Sequence, residues 1–351
     1  MKYNQLGRSD LMVSEICLGS MTWGMQNTQS EAFEQIEYAL ERGVNFIDTA
    51  ELYAVPPTAD TYGKTETIIG NWFAANPQRR QDVILATKIA GNGLPWIRKG
   101  SDISAASIKL AVDGSLQRLQ TDFIDLFQLH WPNRSHPHFG NHWPHAVAIN
   151  SIDVEREKSE HLEILMALDD CVKAGKIRYC GLSDDTPWGI NQYIRLAEQN
   201  NLPRMVSIQN EFSLIHLMSD APHIIETCIM NDVAYLPWSP LAGGVLSGKY
   251  RSGKIPDGSR WSLTQRLGLF RDTPQVHEAV EAFHAVAQQH ELSLTELSLA
   301  YLKQYPGITS TIIGATKMTQ LAEDIDAFEV TLTEPQQAQI NAVIKQYPIP
   351  F

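Results

Sequence analysis

Eight times along the chain a short apolar run is followed by a longer stretch whose apolar residues recur at helical spacing, and this alternation constrains the fold more than any other feature. The runs fall at 16–19, 45–48, 83–88, 123–130, 179–182, 206–209, 234–238 and 311–314, with helical patterns at 31–41, 65–74, 104–119, 160–174, 190–199, 221–230 and 275–290. Near-continuous apolar runs suit strands buried on both faces, and a strand joined to the next through a helix pairs with it in parallel. Ser104 is placed to cap the helix after it, and Gly43 and Gly175 to end helices ahead of the next strand. A hairpin, 2–5 and 11–13, precedes the first unit and is positioned to plug one end of a barrel. No Gly-x-Gly-x-x-Gly follows the first run, which argues against a doubly wound dinucleotide fold. The expectation is an α/β fold, a (β/α)8 TIM barrel forming one domain over 1–351, with two long loops, 131–158 and 242–274, on its C-terminal face.

Four polar residues end or follow these runs: Asp48, Tyr53, Lys88 and His130. In a βα barrel the C-terminal strand ends converge on one face, so a carboxylate, a phenol, an ammonium and an imidazole would meet there. Such a set suits proton transfer. A free phenol has a pKa near 10, and a neighbouring ammonium is expected to lower it. Lys88 is the candidate ammonium, Asp48 its counter-charge, and His130 a donor to a substrate oxygen. Taken singly, Asp48 can be a helix cap, Tyr53 a loop aromatic, Lys88 a snorkelling strand end and His130 a core histidine.

The formal net charge of −12 argues against a nucleic-acid or anionic-membrane surface. No apolar stretch approaches a membrane span or a secretion signal, and the four cysteines, Cys17, Cys171, Cys180 and Cys228, are widely spaced without a Cys-x-x-Cys pair. Buried thiols in a reducing compartment, the cytoplasm, are expected. The segment His136-Pro-His-Phe-Gly-Asn-His-Trp-Pro-His145 has His-x-His spacing but no cysteine or carboxylate within it, so no metal is expected. A substrate-facing loop with Trp131, Phe139 and Trp143, together with Trp23, suits apolar or aromatic carbonyls.

The chain also resembles the aldo-keto reductase superfamily from Lys2-Tyr-Asn-Gln-Leu-Gly-Arg8 to Ile312-Ile-Gly-Ala-Thr-Lys317. The most specific matches are Phe46-Ile-Asp-Thr-Ala-Glu-Leu-Tyr53, the segment from Leu116 to His130, Gly175-Lys-Ile-Arg-Tyr-Cys-Gly-Leu-Ser183, Ile208-Gln-Asn-Glu211 and Pro237-Trp-Ser-Pro-Leu241. The resemblance implies reduction of a small carbonyl substrate with NADP(H), Tyr53 being the general acid, Lys88 and Asp48 its tuning pair, and His130 the carbonyl positioner. It further implies that Ser183, Asp184 and Gln209 hold the nicotinamide carboxamide and that Trp238 stacks on the ring. Ser239, Pro240, Leu241 and Gly243 match a pyrophosphate loop, and Ser20, Met21 and Gln26 match contacts after the first strand. Lys249 and Arg260 match basic positions near the phosphates, and Gly314, Thr316, Gln320, Glu323 and Asp324 match adenosine contacts at a helix start.

Two positions depart from the pattern. Asp184 stands where many members have Asn or Arg, so when ionised it can accept from a carboxamide but not donate to it. Lys317, where others are often uncharged, either pairs with a 2′-phosphate or points into solvent. Two other readings compete: a cofactor-binding regulatory subunit like potassium-channel β subunits, which can carry Asn at the position of His130, and a barrel hydrolase or isomerase without redox chemistry. The sequence leaves the oligomeric state, the substrate and the reaction direction open.

Overall fold

A computed structural model describes residues 1–137, 147–217, 223–263 and 266–351. The hairpin forms from β1 (Tyr3–Gln5) and β2 (Met12–Ser14). Eight strands then pair in parallel: β3 (Ile16–Gly19), β4 (Phe46–Asp48), β5 (Ile84–Ile89), β6 (Ile124–Leu129), β7 (Ile177–Ser183), β8 (Met205–Gln209), β9 (Ala234–Tyr235) and β10 (Thr311–Ile313). Their order is β10-β3-β4-β5-β6-β7-β8-β9, and the ring closes where the amides of Thr309 and Ile312 each donate at 2.9 Å to the carbonyls of Tyr235 and Pro237. This is the (β/α)8 barrel with its N-terminal hairpin.

Side chains alternate along each strand, so Phe46 and Asp48, or Ala86 and Lys88, share the inner face. The lower inner layer is apolar: Cys17, Phe46, Ala86, Leu126, Val206 and Leu236 pack on Leu6, Leu11 and Val13, so the hairpin plugs the barrel. The outward residues, among them Leu18, Ile47, Leu85 and Phe127, form the larger core beneath the helices. Apolar residues therefore fill the lower barrel, and polar ones appear only toward its C-terminal end.

The helices are α1 (Gln29–Glu41), α2 (Lys64–Ala75), α3 (Ala105–Leu119), α4 (Val154–Lys173), α5 (Pro187–Asn200), α6 (His223–Asn231), α7 (Arg266–Leu269), α8 (Pro274–Gln289), α9 (Leu294–Lys303), α10 (Met318–Asp326) and α11 (Glu334–Gln346). Ser104 caps α3, and Gly43 and Gly175 follow α1 and α4 at φ of 84° and 70°, as read from the sequence. Two differences have clear causes. α4 starts six residues earlier than the apolar spacing suggests, because Asp153 accepts from the amide of Arg156 and its first turns are polar. β9 is short because Pro237 has no amide to give its neighbour. No helix among the described residues is long and apolar enough to cross a membrane.

Candidate active site

Asp48 ends β4, Lys88 is the fifth residue of β5, and His130 directly follows β6, so register alone brings them to one face. Lys88, fully buried, donates at 2.6 Å to Asp48 Oδ2 and at 2.8 Å to the carbonyl of Thr49. The other carboxylate oxygen, Oδ1, accepts from Gln209 Nε2 at 2.9 Å and from Gln128 Nε2 at 3.3 Å. Tyr53 lies in the loop after β4, with Lys88 Nζ 5.1 Å from its ring centre and the His130 ring edge-on at 5.7 Å. The structure thus brings all four residues together.

The electrostatics differ in one respect from the sequence expectation. Burial raises the Tyr53 phenol above its ordinary value; the nearby Lys88 ammonium pulls it down, Asp48 and Asp184 push it up, and the net shift is upward. Tyr53 therefore keeps its proton at neutral pH. Burial works against the Lys88 ammonium, yet Asp48 and Tyr53 hold its pKa above the usual lysine value. Burial and the Lys88 charge both push His130 well below the usual imidazole range, so it is neutral, and its buried Nδ1 has no hydrogen-bond partner among the described residues.

These groups open onto a cleft of about 480 Å³ that runs from Tyr53 to Asp324. Every residue matched to a cofactor contact lines it: Ser20, Met21, Gln26, Asp48, Ser183, Asp184, Gln209, Trp238, Ser239, Pro240, Leu241, Gly243, Lys249, Arg260, Gly314, Thr316, Lys317, Gln320, Glu323 and Asp324. Several are already engaged. Ser20 Oγ donates at 2.7 Å to the carbonyl of Asp48, and Gln26 Nε2 donates at 3.3 Å to that of Gly258. The Trp238 indole donates at 3.3 Å to Asp184 Oδ1, so this carboxylate helps to set the angle of the aromatic ring. Gln320 Oε1 accepts from both the amide and the hydroxyl of Thr316 at 3.1 Å, ordering the turn into α10.

Farther along, the cleft is cationic. Arg260 Nη2 lies 3.8 Å from Met21 Sδ, and burial lowers its pKa. Lys249 is lowered by burial and then by Arg260, with Asp324 acting in the opposite direction. Gly243 and Gly244 have φ of 69° and 96°, and a Cβ on Gly244 would lie 2.5 Å from the Lys249 ammonium. Two cations without carboxylate contacts among the described residues, beside glycine backbone and the start of α10, fit a phosphate-bearing cofactor.

Trp23 is a correction. Its side chain is fully buried, packs in the core beneath the helices, donates to Gln35 Oε1 at 2.9 Å and does not line the cleft. Trp131 does line it, whereas Phe139 and Trp143 lie outside the described residues, as does most of the histidine-rich segment. His136 also reaches the cleft, with burial lowering it to about 4. Sequence reasoning missed the apolar wall of Leu52, Val55, Pro57 and Leu94, of which only Leu52 falls inside a quoted motif. It also missed the buried Arg271–Glu211 ion pair; Glu211 ends a quoted motif, but nothing in the long second loop marked Arg271.

Comparison with known proteins agrees with this geometry. A sequence model of the Aldo/keto reductase family matches residues 15–345. The chain is 37% identical to Protein tas of Escherichia coli (strain K12) over 100% of its own length and 99% of the relative's. It is 31% identical to the uncharacterized oxidoreductase YrpG of Bacillus subtilis (strain 168), covering 98% and 96% of the two chains. A probable voltage-gated potassium channel subunit beta of rice is 30% identical over 99% and 98%.

Proposed function

Because the chain belongs to the aldo/keto reductase family, we propose that it reduces aldehydes and ketones to alcohols with NADPH, Tyr53 serving as general acid. The observation that carries this reading is the Tyr53 phenol facing the cleft with the Lys88–Asp48 pair beside it. Bound reduced nicotinamide would supply the hydride, which no side chain can donate.

The protein's own groups handle the proton. Tyr53 gives its hydroxyl hydrogen to the carbonyl oxygen as negative charge develops there, and Lys88 stabilises the phenolate left behind. Asp48 keeps Lys88 charged, and the Gln209 and Gln128 amides hold Asp48 in place. Neutral His130 orients the carbonyl from the opposite side. Gln209 has committed its amino group to Asp48, which leaves its carbonyl to accept from a carboxamide, while Ser183 and Asp184 flank it and Trp238 offers a ring face. Arg260 and Lys249 would hold phosphate oxygens. Water is excluded on the substrate side by Leu52, Val55, Leu94 and Trp131, a wall that favours apolar or aromatic carbonyls. The four buried thiols fit a cytoplasmic setting.

The complete tetrad, His130 included, supports turnover rather than a purely regulatory role. Loss of NADPH absorbance across a panel of aldehydes, ketones and quinones is the test. Turnover with at least one of them is expected, and NADPH binding without turnover on any would favour the regulatory reading instead.

A further inference from the structure

One buried charge near the tetrad has no part in the chemistry above. Glu51 is fully buried, does not line the cleft, and sits between Asp48 and Tyr53 in sequence. Its carboxylate has four donors. Oε1 accepts from the amide of Ala90 at 2.6 Å and from Arg98 Nη2 at 2.5 Å, and Oε2 accepts from Arg98 Nη1 at 2.9 Å and from the Tyr62 hydroxyl at 3.2 Å. The Glu51 backbone adds an amide bond to the carbonyl of Lys88 at 3.1 Å and accepts from the amide of Gly63 at 2.9 Å. Arg98 and Lys99 reach this arrangement through two consecutive left-handed conformations, with φ of 46° and 59°. Non-glycine residues keep such conformations only when their surroundings impose them, and the bidentate Arg98–Glu51 fork is the surrounding contact at hand.

We propose that the Glu51–Arg98 pair is a buried clasp that fixes the Tyr53 loop against the 90–98 segment, making both positioning residues for the proton donor. The clasp joins two pieces of one wall. Leu52 and Val55 on one side, and Ala90 and Ile97 on the other, form a small cluster on which Tyr53, Leu94 and Trp131 pack. Without the fork, the loop that carries Tyr53 keeps its own backbone bonds and this apolar contact, and the phenol keeps its contact with Lys88, but nothing ties the loop to the 90–98 segment through a charge pair. A misplacement of about 1 Å can cost on the order of 100-fold in rate. Glu51 is not among the groups that shift Tyr53, so the effect is one of position.

This inference rests on the reading of Tyr53 as the acid, and the experiment separates the two. Glu51→Gln removes the charge but keeps an acceptor for Ala90, and Arg98→Lys keeps the charge but loses the fork. For Glu51→Gln we expect kcat per NADPH-binding site to fall at least about tenfold, with NADPH affinity unchanged and a larger solvent deuterium isotope effect. A fraction of unfolded enzyme would alter neither the rate per binding site nor the isotope effect. Arg98→Lys should fall between Glu51→Gln and wild type. Hydrogen exchange should quicken at Ala54 and Val55, whose amides bond Thr61 and Met21 at 3.1 and 2.8 Å, while β6 stays protected. A rate per site within twofold of wild type, or unchanged exchange at Ala54 and Val55, overturns the clasp. If the wild-type protein turns over no carbonyl, the proposed function fails, and the exchange measurement alone decides the clasp.

Discussion

At the Tyr53 end of the cleft the buried Lys88 ammonium has its carboxylate 2.6 Å away, whereas farther along it Arg260, still within reach of Tyr53, and Lys249 touch no carboxylate among the described residues. The first arrangement is complete within the protein: Asp48 uses both oxygens on neighbours, Lys88 stays charged, and Tyr53 stays protonated. The second is left unbalanced, with both cations pulled below their ordinary values by burial. An unbalanced, half-buried cation gains more from an incoming anion than one already paired, since no internal partner has to be displaced. At Lys88 the protein supplies the counter-charge itself, and at Arg260 and Lys249 the described residues supply none.

The comparison breaks most severely at Tyr53. Tyr53→Phe removes the proton donor but none of the cationic end, so turnover should drop by roughly 10²–10⁴-fold while the dissociation constant for NADPH stays within about twofold. A comparable loss of cofactor affinity would mean the two ends are not separable. Lys88→Met is the next largest. It leaves Asp48 buried without its partner, a change that typically costs about 3–5 kcal/mol of stability. It also moves the pH profile in a definite direction. Lys88 lowers both Tyr53 and His130, so its removal lets both titrate at higher pH. Reduction needs Tyr53 protonated, so the alkaline fall in rate should shift upward, which a pH–rate profile of the folded variant would show.

The two ends were not equally legible in the sequence. The tetrad could be read because strand register does the positioning: Asp48, Lys88 and His130 end or follow apolar runs that pair as neighbours, so their meeting depends little on loops. The pKa of Tyr53 could not, because burial outweighs the Lys88 charge and burial is a property of the assembled wall. Trp23 failed for a related reason. It lies just past a strand end, as His130 does, but its side chain turns outward to Gln35 of α1, which spacing alone does not reveal. Helix α9 was missed because it is buried almost all round, from Leu294 to Leu302, and so has no polar face to give it a period. At the cationic end, the closeness of Arg260 to Lys249 came only from the resemblance, since a long loop without regular spacing separates β9 from the next helices.

Cofactor preference sharpens the contrast at that end. Replacing Arg260 removes a charge-assisted contact of about 1.5–3 kcal/mol if it holds the 2′-phosphate. Since about 1.4 kcal/mol is tenfold in affinity, Arg260→Ala should weaken NADPH at least about tenfold and leave NADH nearly unchanged. Titration by tryptophan fluorescence quenching with both cofactors is the measurement. Equal weakening of the two would place Arg260 on the pyrophosphate, and no change would remove it from the phosphates altogether.

Lys317 should show the smallest effect, and it separates a half-buried cation from an exposed one at the same site. Like Arg260 it lines the cleft, but it is solvent-exposed at the start of α10 and lacks the desolvation that strengthens a contact. Exposed charge pairs are weak and are screened beyond about 10 Å at ordinary ionic strength. Lys317→Ala should therefore lower NADPH affinity by no more than about threefold at low salt, and the difference should vanish as salt is raised toward about 1 M, where screening acts within about 3 Å. The Arg260→Ala effect should fall less over the same titration, because the half-buried guanidinium is less open to the screening ions. If the two variants lose their effects in parallel with salt, then Arg260 is as solvated as Lys317 when the cofactor is bound, and the contrast between a self-paired end and a ligand-paired end no longer holds.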